Sequence, residues 1–189
     1  MTRDRFSRVT AYHEAGHVVA CCRLLHGIHS ARVFSKTRGR IVDRRGRVVR
    51  GAYGTTEPCG CFNTHLHGLT LAKLEPEEGR RAVYTGGFRH IIMTLAGGIA
   101  EARYTRRHTD KIMRTSARED IDDVTDVGMF LAGGDEAELR DIVGAATQVA
   151  RVLVSRDWQK IVAVAEKLAR VGVIEGDDAL LETIEPAAR

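Results

Sequence analysis

Apolar residues recur at helical spacing almost from the start of the chain. Val9, Tyr12, Gly16, Val19 and Ala20 fall on one side, which predicts an amphipathic helix from Arg8 to Leu25. His13, His17, Ala20 and Leu24 form a neighbouring stripe, so two imidazoles stand one turn apart beside the face that packs inward. Ala31-Arg32-Val33-Phe34 then reads as a strand. Ile41-Val42 and Val48-Val49 flank Asp43-Arg44-Arg45-Gly46, whose turn chemistry predicts a two-stranded ribbon. The glycine-, cysteine- and histidine-rich stretch from Gly51 to Gly68 predicts irregular structure. Gly68 to Leu74 alternates as a strand again, and Pro76 stops it.

Beyond that proline the pattern is helical. Ile91, Leu95, Ile99 and Ala102 define a helix over Gly87 to Tyr104, and Ala96-Gly97-Gly98 gives it a small-residue patch on which a second helix can pack closely. Each glycine there costs about 1 kcal/mol of helix propensity relative to alanine, so close approach is the expected reason for it. After a polar interval from Thr105 to Thr115, Ser116-Ala117-Arg118-Glu119 fits a capping box, which predicts a helix start at Ser116. Asp120, Val124, Val127 and Leu131 then share one face, whereas Asp122 points elsewhere. Gly133-Gly134 breaks the chain. Helices are expected from Glu136 to Ser155 and from Asp157 to Val171, with a short terminal one starting near Asp177 and turning Leu180, Leu181 and Ile184 inward. The fold class predicted is mainly α with a small β-sheet or hairpin.

A length of 189 residues suits one domain with a sizeable core. The expected organisation is a core over residues 1–134, with an inserted β and loop segment at 35–67, followed by C-terminal helices over 135–189. No apolar run is long enough to cross a bilayer, and Met1 to Arg8 leads into the first helix rather than into an apolar signal stretch. Cys21, Cys22, Cys59 and Cys61 lie adjacent or nearly so in pairs, which suits free thiols and a reducing, cytoplasmic location. Cys21 and Cys22 read as small core fillers. The formal net charge is +4, with Arg38, Arg40, Arg44, Arg45, Arg47 and Arg50 concentrated around the ribbon. No aromatic residues interleave with these arginines to stack bases, so nucleic-acid binding is not expected.

The chemistry centres on His13-Glu14-Ala15-Gly16-His17. An H-E-x-x-H spacing on a helix aims both imidazoles at one ion, and Glu14 beside His13 can take a proton from water activated there. Asp120 is a carboxylate on an apolar stripe, so it needs an arginine, a helix terminus or a metal as partner. Cys59, Cys61, His65 and His67 offer four further donors, enough in principle for a structural zinc. Their C-x-C and H-x-H pairing departs from usual zinc-finger spacing, and a loop or cleft rim is the alternative.

Several segments, in order, resemble the proteolytic domain of the FtsH-type ATP-dependent zinc proteases. His13 to His17 is similar to the motif on that family's first helix. Leu95-Ala96-Gly97-Gly98-Ile99-Ala100-Glu101 resembles its small-residue helix ending in a glutamate. Thr115 to Ile121 resembles the segment whose aspartate supplies the third zinc ligand, and Val173 to Asp178 its closing turn. The resemblance implies a zincin-like metalloprotease domain with a C-terminal helical bundle, in which Zn²⁺ is held by His13, His17 and Asp120 and Glu14 is the general base. Glu101 is a candidate for orienting a ligand imidazole, with an exposed helix glutamate as the alternative. The residues contain no G-x-x-x-x-G-K-[ST] phosphate loop. The expected activity is therefore endopeptidase cleavage of peptides or unfolded protein segments, ATP-independent by itself, alone or with a separate ATPase partner. Monomer, dimer and ring all fit the sequence. The Gly68 to Leu74 strand is the candidate substrate edge. The rival reading is a non-catalytic, zinc-stabilised adaptor of the same fold with an anionic or protein partner.

Overall fold

The computed structural model describes residues 7–24, 27–34, 40–42, 48–50, 53–59, 62 and 76–176. Helix α1 (Arg8–Leu24) is followed by strands β1 (Ile28–Val33), β2 (Arg40–Val42), β3 (Val48–Arg50) and β4 (Gly54–Pro58). Helices α2 (Pro76–Thr105), α3 (Thr109–Met113), α4 (Arg118–Leu131), α5 (Glu136–Arg156) and α6 (Trp158–Val171) come next, and β5 (Val173–Glu175) returns the chain to the sheet. The architecture is mainly helical, with one three-stranded antiparallel sheet ordered β4-β1-β5 and the separate β2–β3 ribbon that the hydrophobic pairs predicted.

Helix α2 is the central element. Every residue from His90 to Ala102 is buried, as befits a helix packed on several sides. It begins at Pro76 rather than at the expected Gly87. Pro76 is the first helical residue, where its missing N–H leaves nothing unpaired, and Glu77 and Glu78 complement the helix dipole in the first turn. Gly79, Gly86 and Gly87 weaken the pattern in that first half, which hid the helix from propensity reasoning. The Gly68 to Leu74 strand and the terminal helix after Asp177 fall outside the described residues.

The sheet also departs from expectation. Strand β1 starts at Ile28 rather than Ala31, with a bulge between Ile28 and Ser30, and its neighbours Ser30 and Ala31 are both buried, so strict alternation is lost. Strand β4 lies within the stretch expected to be irregular. It carries no apolar alternation and forms by antiparallel pairing to β1, with Ala31 opposite Thr56 and Arg32 opposite Thr55. Val173-Ile174-Glu175 is not a closing turn but a strand on the other side of β1, with Ile174 buried. Gly172 makes the reversal possible by capping α6 in the left-handed conformation, at φ 80°.

The expected capping box at Ser116 does not form. Helix α4 starts at Arg118 with Ala117 at the N-cap position and no side-chain cap, so Ser116 stands one residue ahead of the cap. Helix α3 occupies part of the polar interval and anchors it through the fully buried Ile112. Cys21 is a core filler as expected, but Cys22 is exposed. Among the described residues no helix is long and apolar enough to cross a membrane.

One hydrophobic cluster unites the sheet, α1, α2 and the C-terminal helices, through residues such as Val18, Ile28, Ile91, Ala146, Ile161 and Leu168. Its tightest seam lies between α1 and α2. A Cβ placed on Gly16 would stand 2.5 Å from the Ala96 carbonyl oxygen and 2.8 Å from the Ala100 Cβ. Helix propensity alone predicts that Gly16→Ala stabilises the protein by about 1 kcal/mol. The seam predicts instead a loss of about 1–3 kcal/mol from overpacking, seen as a lower urea midpoint at unchanged slope; a raised midpoint would contradict the close packing.

Candidate metal centre

His13 and His17 project from adjacent turns of α1 and bring their Nε2 atoms to 3.0 Å from each other. Asp120 enters from the first turn of α4, with Oδ2 3.0 Å from His13 Nε2 and 3.6 Å from His17 Nε2. The structure thus brings together the three side chains expected to act as ligands, and among the described residues they form the group of metal-ligating type.

The outer nitrogen of each ring settles its tautomer. His13 Nδ1–H donates to Glu101 Oε2 at 2.9 Å, and His17 Nδ1–H donates to the Met93 carbonyl at 3.0 Å. Both partners are pure acceptors, so in the neutral rings the proton sits on Nδ1 and both Nε2 atoms present lone pairs. Asp120 Oδ2 is out of reach of water, and with both rings neutral no hydrogen is donated to it. Three electron pairs therefore converge on one buried point, an arrangement that is repulsive unless a proton or a cation lies among them. Donors about 2.0–2.1 Å from a tetrahedral zinc stand about 3.3–3.4 Å apart, and the observed separations of 3.0, 3.0 and 3.6 Å bracket that value. The donor set fits a divalent ion, and three protein ligands leave one position open.

The charges respond accordingly. Burial opposes a charge on His13, but the carboxylates of Asp120 and Glu101 outweigh it and hold the ring's pKa well above the ordinary imidazole value. For His17 burial is likewise overcome, chiefly by Asp120, and its pKa is also raised. Burial would raise the Asp120 carboxyl, yet His17 and His13 keep it well below the usual carboxylate range. Glu14 shifts the other way: burial lifts its carboxyl, and the nearby imidazoles and Thr56 only partly offset this.

Glu101 is buried, not an exposed helix glutamate. Its second oxygen, Oε1, accepts a 2.6 Å hydrogen bond from the Ser116 hydroxyl. Burial would raise the Glu101 carboxyl, but the hydrogen bonds from His13 and Ser116 lower it. Gly97 supplies the room: a Cβ there would collide with the His17 ring. The small-residue patch thus serves three neighbours, Ala96 meeting Gly16, Gly97 the His17 ring and Gly98 the Met113 side chain.

Strand β4 lies over the remaining side. Thr56 Oγ1 donates to Glu14 Oε2 at 2.8 Å, and a Cβ on Gly54 would stand 2.5 Å from Glu14 Oε1. Sequence reasoning missed Thr56, the Met93 carbonyl and a His90–Asp123 pair, whose Nε2 and Oδ2 are 2.6 Å apart. A signal for the last was present, since His90, Gly97 and Glu101 recur at helical spacing on one face of α2. Of the second donor group, Cys59 is exposed with Sγ 3.7 Å from His29 Nδ1, a partner that sequence did not suggest. Cys61, His65 and His67 lie outside the described residues.

No protein-family model matches the sequence, and no curated protein matches it.

Protons and a cation compete for the same Nε2 lone pairs. Because both imidazoles hold protons more tightly than a free ring does, from its ordinary 6.5 upward, raising the pH releases the competitor and strengthens metal binding. Zinc affinity, measured against a chromophoric chelator, should tighten by about 10- to 100-fold per unit between about pH 6 and pH 8; an affinity flat across that span would contradict the site.

Proposed function

We propose that this protein is a zinc-dependent endopeptidase that hydrolyses peptide bonds in peptides or unfolded protein segments. The observation that carries the reading is the placement of Glu14, a buried carboxylate one residue from the first imidazole, beside a three-donor centre with an open position and under an edge strand. A site built only to hold the fold together has no use for that carboxylate. The motif helix beneath a small antiparallel sheet, followed by packed C-terminal helices, supports a zincin-like domain of the kind that the sequence resemblance to FtsH-type proteases implies.

His13, His17 and Asp120 would hold the ion. When bound, zinc supplies Lewis acidity toward water and a carbonyl oxygen. Glu14 accepts the proton of the attacking water at Oε1, since Oε2 is engaged by Thr56, and returns that proton to the departing amine. Its burial-raised pKa places it nearer neutrality than a surface glutamate, as a group that must both take and give a proton requires. Glu101 and the Met93 carbonyl keep the imidazoles δ-protonated so that Nε2 remains free to ligate.

The substrate lies on β4. Among the described residues that strand is at the edge of the sheet, with β1 on one side, so a peptide can add as a further strand and run its backbone past Glu14. This edge adjoins the centre through Gly54 and Thr56, whereas the Gly68 to Leu74 stretch lies outside the described residues. Extended backbone is what such an edge recognises, which favours unfolded segments over folded proteins.

Glu14→Gln should retain zinc and lose cleavage of casein by about 10²-fold or more. Thr56→Val should also retain zinc and lower cleavage by about tenfold, since the base loses a hydrogen bond to its charged form. Zinc bound equally by wild type and Glu14→Gln, with cleavage by neither, would favour the non-catalytic adaptor.

A further inference from the structure

We propose that His90 and Asp123 form a positioning pair that aims Asp120 at the metal centre, an inference that rests on reading the centre as a zinc site. Asp120 lies in the first turn of α4, and that turn has no side-chain cap to fix its orientation. Besides the packing of Val124 and Val127 into the core, two hydrogen-bonded contacts to α2 flank it. Ahead of the helix, Ser116 Oγ donates to Glu101 Oε1 at 2.6 Å; one turn beyond Asp120, Asp123 Oδ2 meets His90 Nε2 at the same 2.6 Å. Glu101 and His90 bracket Gly97, against which the His17 ring rests. The two helices are thus pinned together on either side of the ligand.

Geometry makes the second pin consequential. Asp120 and Asp123 are three residues apart and share one face of α4. At a helix surface radius of about 5–6 Å, a rotation of about 20° carries a carboxylate by about 2 Å, a whole metal–ligand bond length. Releasing Asp123 from His90 removes the hydrogen-bonded restraint on that rotation one turn beyond Asp120, leaving the apolar packing of Val124 and Val127.

Stability does not account for the pair. His90 is 5% exposed, and its Nδ1 is buried without a hydrogen-bond partner, so this ring leaves a polar atom unsatisfied. An apolar residue could fill the same space beside the Phe62 ring, 6.3 Å from His90, without that penalty. Buried polar pairs that do not improve stability are best attested as devices that fix register, and the register at stake here is that of Asp120.

The test uses Zn²⁺ titration and the visible spectrum of the Co²⁺-saturated protein, since zinc itself has no d–d bands. His90→Leu should weaken zinc binding by about tenfold and alter the cobalt bands even at saturation. His90→Gln, whose side-chain amide can still donate to Asp123, should bind zinc within about twofold of wild type. Should the leucine variant fail to fold, Asp123→Ala removes the pin from its more exposed side, Asp123 being 37% exposed at its side chain, and should give the same two changes. Wild-type zinc affinity and wild-type cobalt bands in the folded variants that lack the pin would overturn the proposal. A wild-type protein that binds no zinc would overturn the zinc reading itself, and the role of this pair with it.

Discussion

Three lone pairs aimed at one buried point are the constraint around which this protein is arranged. In the neutral rings Glu101 and the Met93 carbonyl hold the proton on Nδ1, so the Nε2 atoms of His13 and His17 both turn lone pairs to the centre and draw in a further proton or a cation. Asp120 Oδ2 adds a third electron pair with no hydrogen donated to it. A buried cluster of this kind destabilises a fold unless something positive completes it. The proposed zinc would complete it.

The surrounding elements read as the means of holding that cluster. Helix α1 carries both imidazoles and lies so close to α2 that Gly16 and Gly97 leave no room for a Cβ. Helix α2 presents Glu101 to one imidazole and a backbone carbonyl to the other, and is tied to the segment bearing Asp120 through Ser116. Strand β4 closes the opposite side with Thr56 on Glu14. The carboxylate that orients a ligand and the carboxylate proposed to move protons are therefore held by separate elements, so each can be perturbed without the other.

Much of this was legible from side-chain periodicity. The first helix, the ribbon pairing and the two long C-terminal helices follow from spacing, because helical faces repeat locally; spacing left Asp120 needing an arginine, a helix terminus or a metal, and its meeting with His13 and His17 was what the family resemblance implied. Elements that depend on distant partners were not legible. Strand β4 has no apolar alternation and exists by pairing with β1, and β5 forms where a turn was expected because Ile174 finds the core across that same strand. Ser116 shows the sharpest conflict between levels. Its local sequence is that of a cap, but a buried glutamate fifteen residues back in the chain takes its hydroxyl. Local pattern gives no access to that partner, which a buried carboxylate needs as a donor.

The central claim is a nitrogen- and oxygen-ligated zinc with an open position. X-ray absorption at the zinc edge, on protein loaded with one equivalent, tests it most directly. The account predicts two imidazole nitrogens and light oxygen scatterers at about 2.0–2.2 Å, with no sulfur. A sulfur shell at about 2.3 Å would place the ion on cysteine and contradict it.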